Sequence, residues 1–101
     1  MKTKLLIIDD NRSMIEMVRE YFQTSSSVEV VLEANDGESG YEMIKNNQDK
    51  FDIILLDLIM PKRDGLYVLD KMKEDGINKG VIVFTSFSEE ETVRKVSEYG
   101  V

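Results

Sequence analysis

The feature that most limits the fold of this chain is an alternation between short apolar runs and segments with a helical spacing of apolar residues. The runs from Leu5 to Ile8, Phe51 to Leu56 and Val81 to Phe84 are almost entirely apolar, which is typical of strands covered on both faces. The run from Val28 to Leu32 alternates in part and favours a strand nearer a sheet edge. Four short strands are therefore predicted.

Between these runs, apolar residues recur every three or four positions, as on the buried face of an amphipathic helix. The positions that carry this spacing are Met14, Ile15, Met17, Val18, Tyr21 and Phe22, then Tyr41 and Ile44, then Leu66, Leu69 and Met72, and finally Val93 and Val96. Gly76 stands where a helix C-terminal cap belongs, and Ser88 with Glu91 has the spacing of a capping box. The predicted order is βαβαβαβα.

This order predicts an α/β fold, a doubly wound parallel sheet with helices on both faces and right-handed crossovers. At 101 residues the chain is expected to form one domain over residues 1–101, and no linker, repeat or low-complexity tract interrupts it. Ligands of such sheets bind outside the carboxyl ends of the strands. The residues just after each apolar run are therefore the candidates for a functional site.

The predicted strand ends bring five polar residues to one rim of the sheet, namely Asp9, Asp10, Asp57, Thr85 and Ser86. Two unit charges about 4 Å apart repel by roughly 4 kcal/mol at an effective dielectric constant near 20, so three carboxylates need a shared proton or a bound cation. The chain has no cysteine and no histidine, which excludes thiolate and imidazole ligands. Oxygen ligands favour a hard cation, so we expect Mg²⁺, with Mn²⁺ as a substitute.

Simpler structural roles are also open for the same residues. Asp9 or Asp10 could cap the following helix, although a second carboxylate beside the first would add little to such a cap. Asp57 has no helix to cap until after the segment DLIMPKRDG, which favours metal binding for this residue. Thr85 and Ser86, taken alone, are typical of a strand end or a turn.

Three segments resemble the receiver domain of two-component response regulators. They are IIDDN at 7–11, LLDLIMPKRDG at 55–65 and VIVFTS at 81–86, and they occur in the family's order and at its spacing. The resemblance covers the entire chain and implies the flavodoxin-like receiver fold. It also implies a signalling phosphoacceptor that catalyses only its own phosphorylation and dephosphorylation, and that switches conformation to control an output.

The resemblance implies roles for individual residues. Asp57 would be the phosphoacceptor, taking a phosphoryl group in a magnesium-dependent reaction. Asp10 and Asp57 would bind Mg²⁺ together with the backbone carbonyl of Ile59, and Asp9 would hold a metal-bound water. Thr85 would be the switch hydroxyl that moves to the phosphoryl group.

The resemblance also implies the partners. Ser86, being small, would leave access beside the acceptor for a phosphohistidine on a sensor histidine kinase or a histidine phosphotransfer protein. The donor must lie on another chain because this one has no histidine. The apolar arc of the first predicted helix is wider than a core face requires, which suggests that Ile15 or Met17 helps to dock that partner.

Charge and hydropathy limit the remaining partners. The net charge of -7 repels phosphate backbones, so no direct binding of nucleic acid by this chain is expected. No apolar run reaches the length of a membrane span, so we expect a cytoplasmic protein that does not bind membranes. The segments DDNR, DLIMPKRDGLYVL and TSFSEEE resemble receivers of sporulation-type transcription regulators, in which DNA binding would lie in another segment. The face from Ser88 to Tyr99 would then form a homodimer.

The family pattern is not matched to its end. Family members have a fifth strand that carries a lysine and an aromatic switch residue, followed by a fifth helix, whereas this sequence stops at Val101. We therefore expect a receiver that is incomplete at its C-terminus, truncated after the fourth βα unit. The missing lysine keeps open an alternative, a receiver-like interaction module that is not phosphorylated.

Two enzyme-like or nucleotide-binding alternatives fit less well. Hydrolases that form an aspartyl phosphate place a second aspartate two positions after the nucleophile, where this chain has Ile59. A dinucleotide-binding fold needs a glycine-rich turn after the first strand, where Asp9, Asp10 and Asn11 stand. The phosphoacceptor prediction is therefore the stronger one.

Overall fold

The computed structural model describes residues 2–58, 60 and 64–84 and contains four strands and three helices in strict alternation. The elements are β1 (Thr3–Ile8), α1 (Arg12–Phe22), β2 (Val28–Ala34), α2 (Gly37–Asn46), β3 (Ile53–Asp57), α3 (Gly65–Glu74) and β4 (Gly80–Phe84). The predicted order is confirmed as far as β4. The predicted fourth helix and its capping box at Ser88 and Glu91 lie outside the described residues.

The strands form one parallel sheet in the order β2-β1-β3-β4. The chain moves from β1 to β2 in one direction and from β2 to β3 in the other, so right-handed crossovers place α1 on the face opposite α2 and α3. The fold is thus the predicted doubly wound, flavodoxin-like sheet, with the partly alternating strand β2 at an edge. Within the described ranges, no helix has the length and apolar character needed to cross a membrane.

The core explains why β1 is apolar at every position from Leu5 to Ile8. Leu6 and Ile8 pack with buried residues of α2 and α3, including Ile44 and Val68. Leu5 and Ile7 point to the opposite face because side chains alternate along a strand, and they are buried as well. Both faces of β1 are therefore covered.

Each helix begins at a side-chain cap. Asn11, Asp36 and Asp64 each accept a hydrogen bond from the backbone N–H three residues ahead, at 3.2, 2.7 and 3.0 Å. The possibility that Asp9 or Asp10 caps α1 is therefore wrong, because Asn11 occupies that position. Both carboxylates thus precede the helix.

The end of α3 confirms the predicted glycine cap. Gly76 has φ 68°, in the left-handed region, and its N–H donates to the carbonyl of Lys73 at 3.2 Å. The N–H of Ile77 then donates to the carbonyl of Met72 at 2.9 Å, which completes a Schellman motif. This tight stop turns the chain back towards β4.

Candidate metal centre

Three carboxylates meet at the carboxyl end of the sheet. Asp57 is the last residue of β3, and Asp9 and Asp10 follow β1 directly. The register pairs Ile8 with Leu56, so the residues that come next on these two neighbouring strands stand side by side. One oxygen from each of Asp9, Asp10 and Asp57 lies within 4.8 Å of the others, which brings together the predicted acidic group.

Asp9 is the most constrained of the three. Asp9 is only 2% exposed, and its backbone N–H donates to the carbonyl of Ala34 on β2 at 3.0 Å. Its carboxylate accepts the N–H of Asn11 at 2.9 Å, so one oxygen is fixed in the turn that leads into α1. Asp10 is exposed and Asp57 half-buried, so the group opens to solvent beside a buried anchor.

The environment of Asp9 raises its pKa from 3.8 to about 6. Burial is the largest cause, and the neighbouring charges of Asp57 and Asp10 add to it, while the hydrogen bond from Asn11 acts in the opposite direction. The folded protein therefore holds a proton at Asp9 more tightly than an exposed carboxyl group would. A bound cation would remove the need for that proton, because it offsets the same repulsion.

The ligand chemistry of the group fits a hard divalent cation. All three side chains offer carboxylate oxygens, and one of them is exposed, which leaves room for the water molecules that such an ion retains. The acidic residues can therefore hold a metal ion.

An ion-pair network beside the site ties α1 to the end of β2. The Glu33 carboxylate accepts hydrogen bonds from Arg12 and from Arg19, the latter at 2.7 Å, and these bonds lower the pKa of Glu33. Glu33 precedes Ala34, whose carbonyl binds the N–H of Asp9. The sequence did not indicate this network, because ion pairs between distant segments do not affect the spacing of apolar residues.

The backbone after Asp57 is fixed by α3. The N–H of Gly65 donates to the carbonyl of Leu58 at 3.1 Å, and Gly65 is buried against the backbone of Asp57 and Leu58. Gly65 lies within the segment LLDLIMPKRDG, but the sequence alone indicated no role for it. Its position at the first turn of a helix, directly after a capping aspartate, was the available signal.

Other predicted site residues lie outside the described residues. These are Ile59, Thr85, Ser86 and the face from Ser88 to Tyr99. Their assigned roles stay predictions.

The first helix corrects one prediction about partner docking. Ile15 is 1% exposed and belongs to the protein interior, so the hypothesis that it contacts a partner is wrong. Met17 is 61% exposed and Tyr21, one turn further along, is 78% exposed. The apolar arc was wide because it combined core residues with exposed ones, and spacing alone does not separate the two.

Comparison with known proteins identifies the family. The sequence profile described as the response regulator receiver domain matches residues 5–101. The chain belongs to this family. The receiver domain is 34% identical, over 95% of its length, to the probable C4-dicarboxylate response regulator DctR of Priestia megaterium, and 36% identical, over 88%, to the nitrate/nitrite response regulator NarL of Escherichia coli. It spans 41% and 40% of those two proteins.

Solved structures agree with this assignment. The receiver domain superposes on the signal receiver domain of the putative response regulator NarL from Mycobacterium tuberculosis with a TM-score of 0.87 and 30% identity, covering 97% of this chain and 77% of that one. It matches a chain of the CheX–CheY–BeF3–Mg²⁺ complex from Borrelia burgdorferi with a TM-score of 0.87 and 31% identity, covering 97% and 72%. The chain is therefore a receiver domain of two-component response regulators in both sequence and fold.

Proposed function

We propose that this receiver domain accepts a phosphoryl group on Asp57 in a magnesium-dependent reaction. The observation that carries the proposal is the convergence of Asp9, Asp10 and Asp57, with one oxygen of each within 4.8 Å of the others at the open end of the sheet. A carboxylate in this setting is a nucleophile whose charged neighbours can be neutralised by one cation.

The proposed metal set is Asp10 and Asp57 as direct ligands, the backbone carbonyl of Ile59 as a third, and Asp9 through a bound water. Mg²⁺ is the expected ion and Mn²⁺ a substitute, since oxygen ligands suit both. When bound, the ion supplies positive charge that offsets the negative charge of the carboxylates and of the phosphoryl oxygens. Asp9 is buried and its carboxylate accepts the N–H of Asn11, so it would orient the metal-bound water.

In the proposed reaction, one carboxylate oxygen of Asp57 attacks the phosphorus atom in line with the bond to the donor nitrogen. The new oxygen–phosphorus bond forms as the nitrogen–phosphorus bond breaks, and the electron pair leaves with the donor imidazole, which takes a proton from water. Asp57 lies in the paired part of the sheet, opposite Phe84 of β4, and this position in the strand limits the ordering that remains for the transition state. Thr85 is proposed as the hydroxyl that then meets the phosphoryl group, with Ser86 leaving access beside it.

Two features of the relatives support this proposal. The Borrelia burgdorferi complex contains CheY with BeF3 and Mg²⁺, and this chain is 31% identical to a chain of that complex. The described residues of this chain bring together three carboxylates that could hold such an ion. DctR and NarL are response regulators, and this chain matches about two fifths of the length of each. We accordingly propose that phosphorylation controls an output such as transcription, and that DNA binding does not reside in the 101 residues described by this sequence.

The experiment incubates the chain with acetyl phosphate and Mg²⁺ and follows the intact mass. We expect one phosphoryl group per chain. The adduct should not form when EDTA is present from the start, and it should not form in Asp57→Asn. Asp52→Asn is the matched control, because Asp52 lies at the opposite end of the same strand, where it accepts the N–H of Lys4 at 2.8 Å. An unmodified wild-type chain would instead favour an interaction module that is not phosphorylated, and an adduct that persists in Asp57→Asn would contradict Asp57 as the acceptor.

The phosphodonor is proposed to be a sensor histidine kinase or a histidine phosphotransfer protein that docks on α1. Met17 and Tyr21 are one helical turn apart and both exposed, so they form a small apolar patch. Met17→Gln with Tyr21→Gln should slow transfer from a protein donor while leaving acetyl phosphate as effective as before. Glu42→Gln, exposed on α2, is the control. Equal loss with both donors would rule out docking at this patch.

A homodimer through the face from Ser88 to Tyr99 is proposed as the output-linked assembly. Sedimentation velocity before and after addition of beryllofluoride with Mg²⁺ tests it. A shift towards dimer is expected, and an unchanged monomer would contradict it.

A further inference from the structure

We propose that Gly65 is a positioning residue for Asp57, which sets the geometry of the divalent-cation site from the first turn of α3. This inference rests on the proposed function, because it concerns the same acceptor and the same cation. Cation binding would then depend on more than the three carboxylates. It would also require direct contact between α3 and the backbone of the acceptor.

The contact leaves no space for a side chain at position 65. A Cβ atom added to Gly65 would lie 2.6 Å from the carbonyl oxygen of Asp57, 2.8 Å from the Cα atom of Leu58 and 2.9 Å from its Cδ2 atom. Real Cβ atoms do not approach other heavy atoms this closely, and two of these three neighbours are backbone atoms. A backbone atom cannot turn away as a side chain can, so the spacing between the first turn of α3 and the backbone of Asp57 would have to change.

The requirement is for space and not for an unusual backbone angle. Among the described residues, Gly76 is the glycine with a positive φ. Position 65 is therefore open to any L-residue as far as the backbone angle is concerned.

Gly65 also holds this segment by hydrogen bonding. Its N–H donates to the carbonyl of Leu58 at 3.1 Å, directly after the acceptor. The preceding residue, Asp64, caps α3 by accepting the N–H of Tyr67 at 3.0 Å. One hydrogen bond thus joins the first turn of α3 to Leu58, and another closes the turn on its own cap. Together they fix the position of Gly65 against the backbone of Asp57.

A displaced Asp57 would weaken cation binding more than it weakens the fold. Mg²⁺ demands near-octahedral geometry with short metal–oxygen distances, so a shift of a few tenths of an ångström in one ligand matters. Asp9 could not follow such a shift, because its N–H is bonded to Ala34 and its carboxylate to the N–H of Asn11. The cation site would therefore lose its alignment while the sheet remained intact.

A second close glycine contact provides the matched control. A Cβ atom on Gly40 of α2 would meet the Cδ1 and Cγ2 atoms of Ile8 at 2.9 Å each, again a helix packed on a strand of the same sheet. Here all three nearest atoms belong to the Ile8 side chain, so the clash falls first on that side chain and not on a backbone atom of the strand. Gly40→Ala should therefore cost stability without disturbing the acceptor.

The test compares wild type, Gly65→Ala and Gly40→Ala in two measurements, Mg²⁺ affinity from amide chemical shifts and stability from urea unfolding. Loss of a supporting contact typically costs a metal site about 10-fold or more in affinity, so the Kd of Gly65→Ala for Mg²⁺ should rise by about that factor. Its phosphorylation by acetyl phosphate at sub-saturating Mg²⁺ should slow to match. Gly40→Ala should keep a Kd within about twofold of wild type even where its stability is lower.

The outcomes separate this inference from the proposed function. A Gly65→Ala chain that binds Mg²⁺ like wild type, or a Gly40→Ala chain that is weakened equally, would overturn the positioning role alone. A wild-type chain that binds no Mg²⁺ would overturn the proposed function, and this inference with it.

A measurement on the wild-type chain covers the case in which Gly65→Ala does not fold. Coupling is reciprocal, so Mg²⁺ binding should slow hydrogen exchange at the Gly65 amide, which is bonded to Leu58. The Gly40 amide, bonded to the carbonyl of Asp36 at 2.9 Å, should exchange at an unchanged rate. Equal protection at both amides, or none at Gly65, would contradict the positioning role.

Discussion

Replacing Asp9 with asparagine should stabilise the metal-free protein, even though Asp9 belongs to the proposed metal site. Asp9 is 2% exposed and its pKa is raised from 3.8 to about 6, first by burial and then by the charges of Asp57 and Asp10. Raising the pKa of Asp9 from 3.8 to about 6 means that ionisation of Asp9 lowers the free energy of unfolding by about 3 kcal/mol. An asparagine keeps an oxygen for the N–H of Asn11 but carries no charge.

The sign of the pH dependence follows from the direction of the shift. The folded state binds the Asp9 proton more tightly than the unfolded state, so this contribution to stability is fully present below about pH 4 and is lost as the pH rises to about 6. The stability difference between Asp9→Asn and wild type should therefore be near zero at pH 3.5 and should reach about 3 kcal/mol at pH 7.5. Taking the difference at each pH cancels the titration of carboxylates that both chains share.

Urea unfolding in EDTA at a series of pH values measures this difference. With a slope of about 1.5 kcal/mol per M, the midpoint of Asp9→Asn at pH 7.5 should lie about 2 M above that of wild type. Saturating Mg²⁺ should reduce or reverse the difference between the two urea midpoints, because the ion stabilises only the wild-type chain, which has all three carboxylates. Asp49→Asn, at an exposed loop position, is the control and should change little. If the two midpoints do not differ, or differ equally at every pH, then ionisation of Asp9 does not destabilise the metal-free fold.

Three further predictions concern the scaffold. Gly76→Ala should lower the unfolding free energy by about 1 kcal/mol, because φ 68° is costly for alanine although no atom lies near its Cβ; urea unfolding checks this, and an unchanged midpoint would count against it. Ile15→Ala should lower it by about 2–4 kcal/mol by leaving a cavity, while phosphotransfer from a protein donor keeps its rate once the chain is folded. Burial raises the pKa of Tyr41 to about 12, and its hydroxyl donates to Asp75, so stability should fall between pH 10 and 12 as the unfolded chain ionises first. Thermal unfolding of Tyr41→Phe should lack that alkaline loss, and parallel curves would contradict the assignment.

Much of the fold could be predicted from the sequence, because the strands are buried on both faces and therefore apolar throughout. Each described strand lies within two residues of its predicted bounds, with β3 beginning at Ile53 where the apolar run began at Phe51. Phe51 is buried all the same, since Lys79 packs over its ring. The ends of β1 and β3 were predictable because the apolar runs stop at Asp9 and Asp57.

The details that escaped prediction depend on tertiary contacts. The sequence suggested Asp9 or Asp10 as the cap of α1, whereas Asn11 is the cap, because the choice depends on the backbone direction at the end of β1, which composition does not contain. Ile15 and Met17 share one apolar arc, and only the position of the sheet decides that the first is buried and the second exposed. The role of Gly65 is likewise a matter of distance to another segment.

Titration of the 101-residue chain with Mg²⁺, followed by amide chemical shifts, most directly tests whether the three carboxylates act as one site. We expect saturable binding of one ion per chain, with the resonances of Asp9, Asp10 and Asp57 moving together and the response lost in both Asp10→Asn and Asp57→Asn. Resonances that do not move, or a titration that either substitution leaves unchanged, would contradict it.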